Sequence, residues 1–156
     1  MKTGYSFIVS VLFVLLLASP VVGSSDDWVE YGRSNSGGVL LYNKVNIKHR
    51  TKGIVQVWCK LVYSDEDREE YIQRIRNRGE STKEYDKLSH TVYLLEIDCK
   101  KKRCRVLSRS LYKMDDNILS SYSSDKKSWG FIPPYSSIET LRDKVCVTKK
   151  KPLKKK

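Results

Sequence analysis

Histidine and short catalytic motifs are scarce in this 156-residue sequence. Its two histidines, His49 and His90, stand in polar stretches near predicted strand starts, where a surface position without a special role explains each. The sequence has no G-x-S-x-G motif, cysteine–histidine signature, glycine-rich phosphate loop or C-x-x-C-H motif. Acidic pairs such as Asp115-Asp116 fall in predicted turns, where carboxylates are common. We therefore predict a protein that is not an enzyme and that holds no cofactor or metal.

Long apolar runs are also missing, apart from FIVSVLFVLLLA at residues 7–18. Lys2 precedes this run, and Val21 and Gly23 follow it at positions that suit cleavage. The arrangement is typical of a secretory signal peptide, since a membrane span needs about 20 apolar residues. We predict removal of residues 1–23 and export to the periplasm or the medium, with a membrane anchor as the alternative. No cysteine follows the predicted cut directly, so we do not expect a lipoprotein.

Charge is concentrated at one end of the chain. Of the net charge of +12, Lys2 and the lysine-rich segment 149–156 supply seven, which leaves +5 for the predicted domain at residues 24–148. We predict that segment 149–156 is disordered, because like charges repel. It either binds anionic lipid, lipopolysaccharide or another polyanion without reading a specific nucleic acid, or only increases solubility. The residues concerned are Lys149, Lys150, Lys151, Lys154, Lys155 and Lys156.

Four cysteines, Cys59, Cys99, Cys104 and Cys146, follow the predicted cut. An even number in an exported chain favours disulfide bonds. Zinc binding and free thiols are the alternatives, although the C-x4-C spacing of Cys99 and Cys104 is wider than that of a usual zinc knuckle.

Hydrophobic periodicity predicts an α+β fold with an antiparallel sheet of about six strands. A first helix follows Ser64, which with Asp67 forms a predicted capping pair, and a last helix follows Ser136. The predicted strands cover residues 28–31, 39–42, 54–63, 89–98, 104–112 and 118–123, and the first helix covers 65–78.

Side chains alternate across a strand, so the apolar set of each strand indicates the core face. That set places Cys59, Cys99 and Cys104 on one face, and Cys146 lies on the apolar side of the last helix. We therefore expect this helix to lie over the sheet. Three pairings are possible, and Cys99–Cys104 would join direct neighbours across a hairpin, which disulfides seldom do. We prefer Cys99–Cys146 with Cys59–Cys104, each closing a loop of about 45 residues that contributes roughly 4 kcal/mol.

The opposite face of the predicted sheet mixes apolar and charged side chains, which indicates a contact surface. We interpret it as a homodimer interface or a partner groove. Alternatively, the N-terminal hairpin or the helix at residues 65–78 covers it. The apolar residues assigned to this face are Trp58, Val62, Leu94, Leu107 and Leu111.

With these features in place, the chain resembles the bacterial surface-adhesin protein E family. The most specific stretch is Glu96-Ile97-Asp98-Cys99 followed by Arg105-Val106-Leu107-Ser108. Further matches are Trp28, Gly32, Val57-Trp58, Tyr112, Trp129, Ile132-Pro133, Ser137, Glu139-Thr140-Leu141 and Val145-Cys146.

The resemblance implies an antiparallel sheet of about six strands whose C-terminal helix is tethered across the concave face through Cys99 and Cys146. It also implies an adhesion-like domain that recognises a protein or polyanionic partner, with dimers as a further expectation. The alternative is a periplasmic structural protein that its lysine-rich segment holds electrostatically at the envelope.

Overall fold

The computed structural model describes residues 27–50, 53–123 and 128–147, so the predicted signal peptide and the lysine-rich segment lie outside the described residues. An antiparallel sheet runs in the order β1-β2-β4-β5-β6-β7, with β3 paired to β4 and β8 paired to β6. The strands are β1 Trp28–Arg33, β2 Val39–Asn43, β3 Lys48–His49, β4 Ile54–Val62, β5 Leu88–Asp98, β6 Arg103–Lys113, β7 Ile118–Ser123 and β8 Gly130–Phe131. The six-stranded sheet is thus confirmed, with two short strands added at its margins.

Two α-helices begin at the predicted caps. Helix α1 spans Asp65–Asn77, and Ser64 and Asp67 form a reciprocal capping box at its start. Helix α2 spans Ser137–Val145, and the Ser136 hydroxyl accepts a hydrogen bond from the Glu139 N–H. These caps satisfy N–H groups that have no partner in the first helical turn, which explains why both helices begin where the sequence predicts.

The core lies between one face of the sheet, here called the core face, and helix α2. Val57 of β4, Ile97 of β5 and Leu141 of α2 are completely buried there. The buried cluster consists of Tyr31, Leu40, Val55, Val57, Cys59, Leu95, Ile97, Ile132, Leu141 and Val145. The apolar side chains on one side of β4 therefore face the core, as their alternation predicted.

Helix α1 packs on the same face, at the opposite end of the sheet. The Tyr63 hydroxyl contacts that of Thr91 at 2.9 Å, and the Tyr63 ring packs edge-on against Tyr71 of α1. The Arg68 side chain of α1 donates to the Leu88 carbonyl at 2.7 Å, and Ile75 is buried. Both helices thus cover the core face.

A disulfide joins Cys99 to Cys146, as predicted, with their Cα atoms 5.7 Å apart. The second predicted pair is wrong, because Cys59 and Cys104 are free thiols. Cys59 lies opposite Tyr93, whereas Cys104 lies opposite Ile97, and strand β5 separates them. Four residues along β5 correspond to about 13 Å, which exceeds the roughly 7 Å between Cα atoms that a disulfide tolerates. The two thiols share a face but not a position along it.

Strand β6 contains a β-bulge. Beyond the bulge, residues that simple alternation assigns to one face of the sheet lie on the other face. Val106 pairs with Leu95, but the next pair is Ser108 with Leu94, which leaves Leu107 as an extra residue. Beyond the bulge, Leu111 pairs with Thr91 on the core face and is 2% exposed. The placement of Leu111 on the opposite face was therefore wrong. Simple alternation cannot predict an inserted residue.

Candidate binding surface on the outer face

The face of the sheet opposite the core, here called the outer face, carries a partly exposed aromatic and aliphatic surface. Trp58 of β4 lies opposite Leu94 of β5, and Val62 follows on the same side of β4. Trp58 is 36% exposed, while Leu94 and Val62 are partly buried. Of the five residues assigned here from the sequence, Trp58 and Leu94 lie opposite each other and Val62 lies on the same face further along β4, whereas Leu107 occupies the bulge and Leu111 is in the core.

Neither of the two expected covers lies over the outer face. The N-terminal hairpin extends the sheet itself, since β2 pairs with β4. Helix α1 packs against Tyr63 on the core face. Within the described ranges, no helix covers Trp58.

A lysine and a second tryptophan extend this surface towards the edge of the sheet. Lys60 lies next to Trp58 on the same side of β4, and its Nζ atom lies 4.4 Å from the ring centroid of Trp28. Lys60 pairs with Leu41 on one side and Val92 on the other. Cation–π contact holds the ammonium group over an aromatic ring. The outer face thus combines exposed aromatic area with a positioned positive charge.

A network of hydrogen-bonded side chains crosses the outer face beside Trp58. Glu96 is 7% exposed and accepts from Gln56 Nε2 at 2.9 Å and from Arg105 Nε at 2.7 Å. Arg50 in turn donates to Gln56 Oε1 at 3.0 Å. A buried carboxylate needs such partners, because an unpaired one is costly. The network links the three neighbouring strands β4, β5 and β6 beside Trp58.

Trp129 closes one end of the outer face. Its ring lies beneath two guanidinium groups, at 4.6 Å from Arg103 and 4.4 Å from Arg105. Arg103 also donates to Asp98 at 3.1 Å. Burial would raise the pKa of Asp98, but hydrogen bonds from the Lys101 N–H and Arg103 outweigh it and hold the pKa below its usual value. The sequence places Trp129 in an irregular segment, and no local pattern relates it to Arg103 and Arg105 of strand β6.

His90 and Tyr112 form the other end. Their rings are stacked with centroids 4.8 Å apart, and His90 pairs with Val62. Partial burial, with a smaller effect of Lys60, lowers the pKa of His90 below its ordinary value. The His90 ring is thus packed against Tyr112 rather than standing alone on the surface as the sequence indicated.

The core face carries a depression near the edge of the sheet. Val106, Arg109 and Tyr122 line an open depression of about 260 Å³ at the β6–β7 edge. In the part of the chain that the structure describes, no group of three or more histidine, cysteine or acidic side chains is arranged to hold a metal ion. None of the described helices has the length and apolar character to cross a membrane.

The sequence profile of the Surface-adhesin protein E family matches residues 28–147. The chain belongs to this family. The fold matches a selenomethionine form of Haemophilus influenzae protein E with a TM-score of 0.50 at 10% identity, covering 82% of this chain and 92% of that chain. Two further structures of protein E from Haemophilus influenzae match with TM-scores of 0.49 at 10% identity, covering 82% of this chain and 93% or 89% of theirs. No curated protein matches the sequence.

Membership in the surface-adhesin protein E family indicates an adhesion-type surface protein, and hence export. At 10% identity the solved structures support the fold alone.

Proposed function

We propose that this protein is a non-catalytic binding module that recognises a host protein through the outer face of its sheet. The observation that carries the proposal is Trp58, a large aromatic side chain that is 36% exposed at the centre of the sheet. Family membership supports adhesion as the kind of activity.

The composition of the outer face fits protein recognition. Tryptophan and arginine are enriched among residues that dominate binding energy, and they act best where the surroundings exclude water. Trp58 has Leu94 opposite it and Val62 and Lys60 nearby on its own strand. The charges that flank it are paired, as Glu96 with Arg105. A partner can therefore bury Trp58 without leaving that carboxylate unpaired.

The surface is also preorganised. Trp58 stands on a nine-residue strand held between β2 and β5, rather than on a loop. Side chains that are already fixed lose little entropy on binding. This favours the outer face over the depression lined by Tyr122, which lies on the edge strand β7.

The test is binding of the mature protein, residues 24–156, to a coated panel of extracellular-matrix proteins. We expect Trp58→Ala to weaken binding at least about tenfold, as for a central aromatic contact. Tyr122→Ala is the matched control, because it removes an exposed aromatic ring from the other face. We expect it to leave binding within about twofold of the unaltered protein.

Two results would overturn the proposal. Loss of binding in Tyr122→Ala but not in Trp58→Ala would move the site to the core-face depression. Sedimentation showing a dimer that Trp58→Ala dissociates would make the outer face an interface between two copies of the chain.

We further propose that the protein works after export, with residues 1–23 removed and without a lipid anchor. The apolar run at residues 7–18 and the absence of a cysteine at residue 24 support this. Cell fractionation with intact-mass analysis tests it, and the expected product begins at Ser24 in a soluble exported fraction. A product carrying acyl mass, or one retaining residues 1–23, would contradict it.

A further inference from the structure

One end of the sheet gathers exposed positive charge from two separate turns. The basic pole is defined here as Lys48 and Arg50, beside the β3–β4 turn, and Lys100, Lys101 and Lys102, in the β5–β6 turn. All five side chains are exposed. No local pattern in the sequence relates these two basic turns to each other.

The two turns touch each other. The Cys99 N–H donates to the Gly53 carbonyl at 3.1 Å. The Lys100 side chain lies over Gly53, where an added methyl group would come within 3.4 Å of its Cγ atom. Lys48 pairs with Gln56, and Gln56 with Glu96, so the basic residues of β3 lie across the same end of the sheet. The basic pole is thus one continuous surface.

The disulfide fixes the base of the β5–β6 turn. Cys146 is bonded to Cys99, the residue directly before Lys100, with 5.7 Å between Cα atoms. The β5–β6 turn is therefore covalently anchored to the end of helix α2.

The nearby carboxylates of Asp98 and Asp143 have partners within the protein, so they do not neutralise the positive charge of the basic pole. Asp98 is 4% exposed and accepts from the Lys100 and Lys101 N–H groups and from Arg103. Asp143 of α2 forms an ion pair with Arg142 at 2.6 Å. The acids of this end are engaged within the protein.

The opposite end of the sheet is acidic. Strand β4 ends at Val62, directly before α1, and its nine residues span about 30 Å. Exposed carboxylates gather at that end, in the first turns of α1 and in the β6–β7 turn: Asp65, Glu66, Glu69, Asp115 and Asp116. Arg74, Arg76, Arg78, Lys83 and Lys87 are also exposed in α1 and in the loop before β5, so the acidic end is mixed in sign, whereas the basic pole is uniformly positive. This difference in charge orients the molecule near a charged surface.

We propose that the basic pole docks end-on against an anionic lipid bilayer. Most of its charges are lysines, which act as point charges and suit an array of phosphate headgroups rather than one planar ligand. Each lysine near an anionic membrane strengthens binding about fivefold. End-on docking directs the acidic end away from the bilayer and leaves Trp58 accessible from the side.

The test is co-sedimentation of the mature protein with vesicles of phosphatidylglycerol and phosphatidylcholine. We expect binding to these vesicles, none to pure phosphatidylcholine, and release as salt rises from about 0.1 to 0.5 M. The double variant Lys100→Gln with Lys101→Gln should bind about tenfold or more weakly. Lys83→Gln with Lys87→Gln is the matched control, since it removes the same charge from exposed lysines at the acidic end, and it should bind within about twofold of the unaltered protein.

Three results would overturn the proposal. Equal weakening by the two double variants would show that only net charge matters. Loss of binding on removing residues 149–156, with no effect of Lys100→Gln and Lys101→Gln, would assign binding to that segment alone. Retention on heparin without vesicle binding would indicate a polysaccharide. Because Trp58→Ala should leave vesicle binding unchanged, failure here is distinguishable from failure of host-protein recognition.

Discussion

The two faces of the sheet come from the same strands but have opposite surroundings. On the core face, helix α2 buries Leu141 completely against β4 and β5, and the Cys99–Cys146 disulfide fixes the end of that helix. On the outer face, Trp58 is 36% exposed. The contrast indicates that packing on the core face supplies most of the stability, whereas the outer face is available for contact with a partner.

The largest expected effect comes from truncating a buried side chain on the core face. Leu141→Ala should lower the free energy of unfolding by about 3–5 kcal/mol, because it leaves a cavity in a fully packed site. Trp58→Ala should cost less, about 1–2 kcal/mol, because 36% of its surface is already in water. Urea unfolding of both variants measures the difference. Similar losses in the two variants would remove the distinction between the faces.

Cutting the disulfide should have the next largest effect. Cys146→Ser should cost about 2–4 kcal/mol, because the closed loop spans 47 residues, whereas Cys104→Ser should cost less than about 1 kcal/mol. Peptide mapping without reduction should link Cys99 to Cys146. Cys59 should resist alkylation until the protein unfolds, since it is fully buried and burial raises the pKa of its thiol. A Cys59–Cys104 link would contradict the register of β4, β5 and β6.

A smaller effect is expected where α1 joins the core face. Asp67 accepts hydrogen bonds from Ser34 Oγ at 2.7 Å and Ser64 Oγ at 3.0 Å. Burial raises the pKa of Asp67, but these hydrogen bonds outweigh it and the pKa lies below its ordinary value. Asp67→Asn should cost about 1–3 kcal/mol at neutral pH.

The pH dependence of that cost follows from the direction of the shift. A carboxylate with a lowered pKa stabilises the fold above its unfolded pKa of about 3.9, and this stabilisation is lost as pH falls through the folded value. Thermal unfolding of both proteins from pH 7 to pH 2 should show their difference shrinking below about pH 4. A difference that stays constant across this range would show that the charge of Asp67 is not involved.

Much of the core face could be predicted from the sequence, because alternation in β4 and capping at Ser64 and Ser136 are local signals. Register is not local. The bulge at Leu107 depends on how β6 pairs with its neighbour, and it moved Leu111 into the core.

The same limit explains the cysteine error. Alternation shows which face a residue occupies, but the distance between Cys59 and Cys104 depends on the register of two strand pairs. For the outer face, the sequence identified Trp58 and Leu94 but not the contact between Trp28 and Lys60. That contact forms across strands β1, β2 and β4, which no short pattern relates.

Oxidative footprinting of the free protein tests the contrast between the two faces most directly. The account predicts that Trp58 is oxidised at low dose at every protein concentration, while Tyr31, which is 5% exposed, stays unmodified until the protein unfolds. Protection of Trp58 in the free protein would show that its face is already covered, and would contradict its role as an open binding surface.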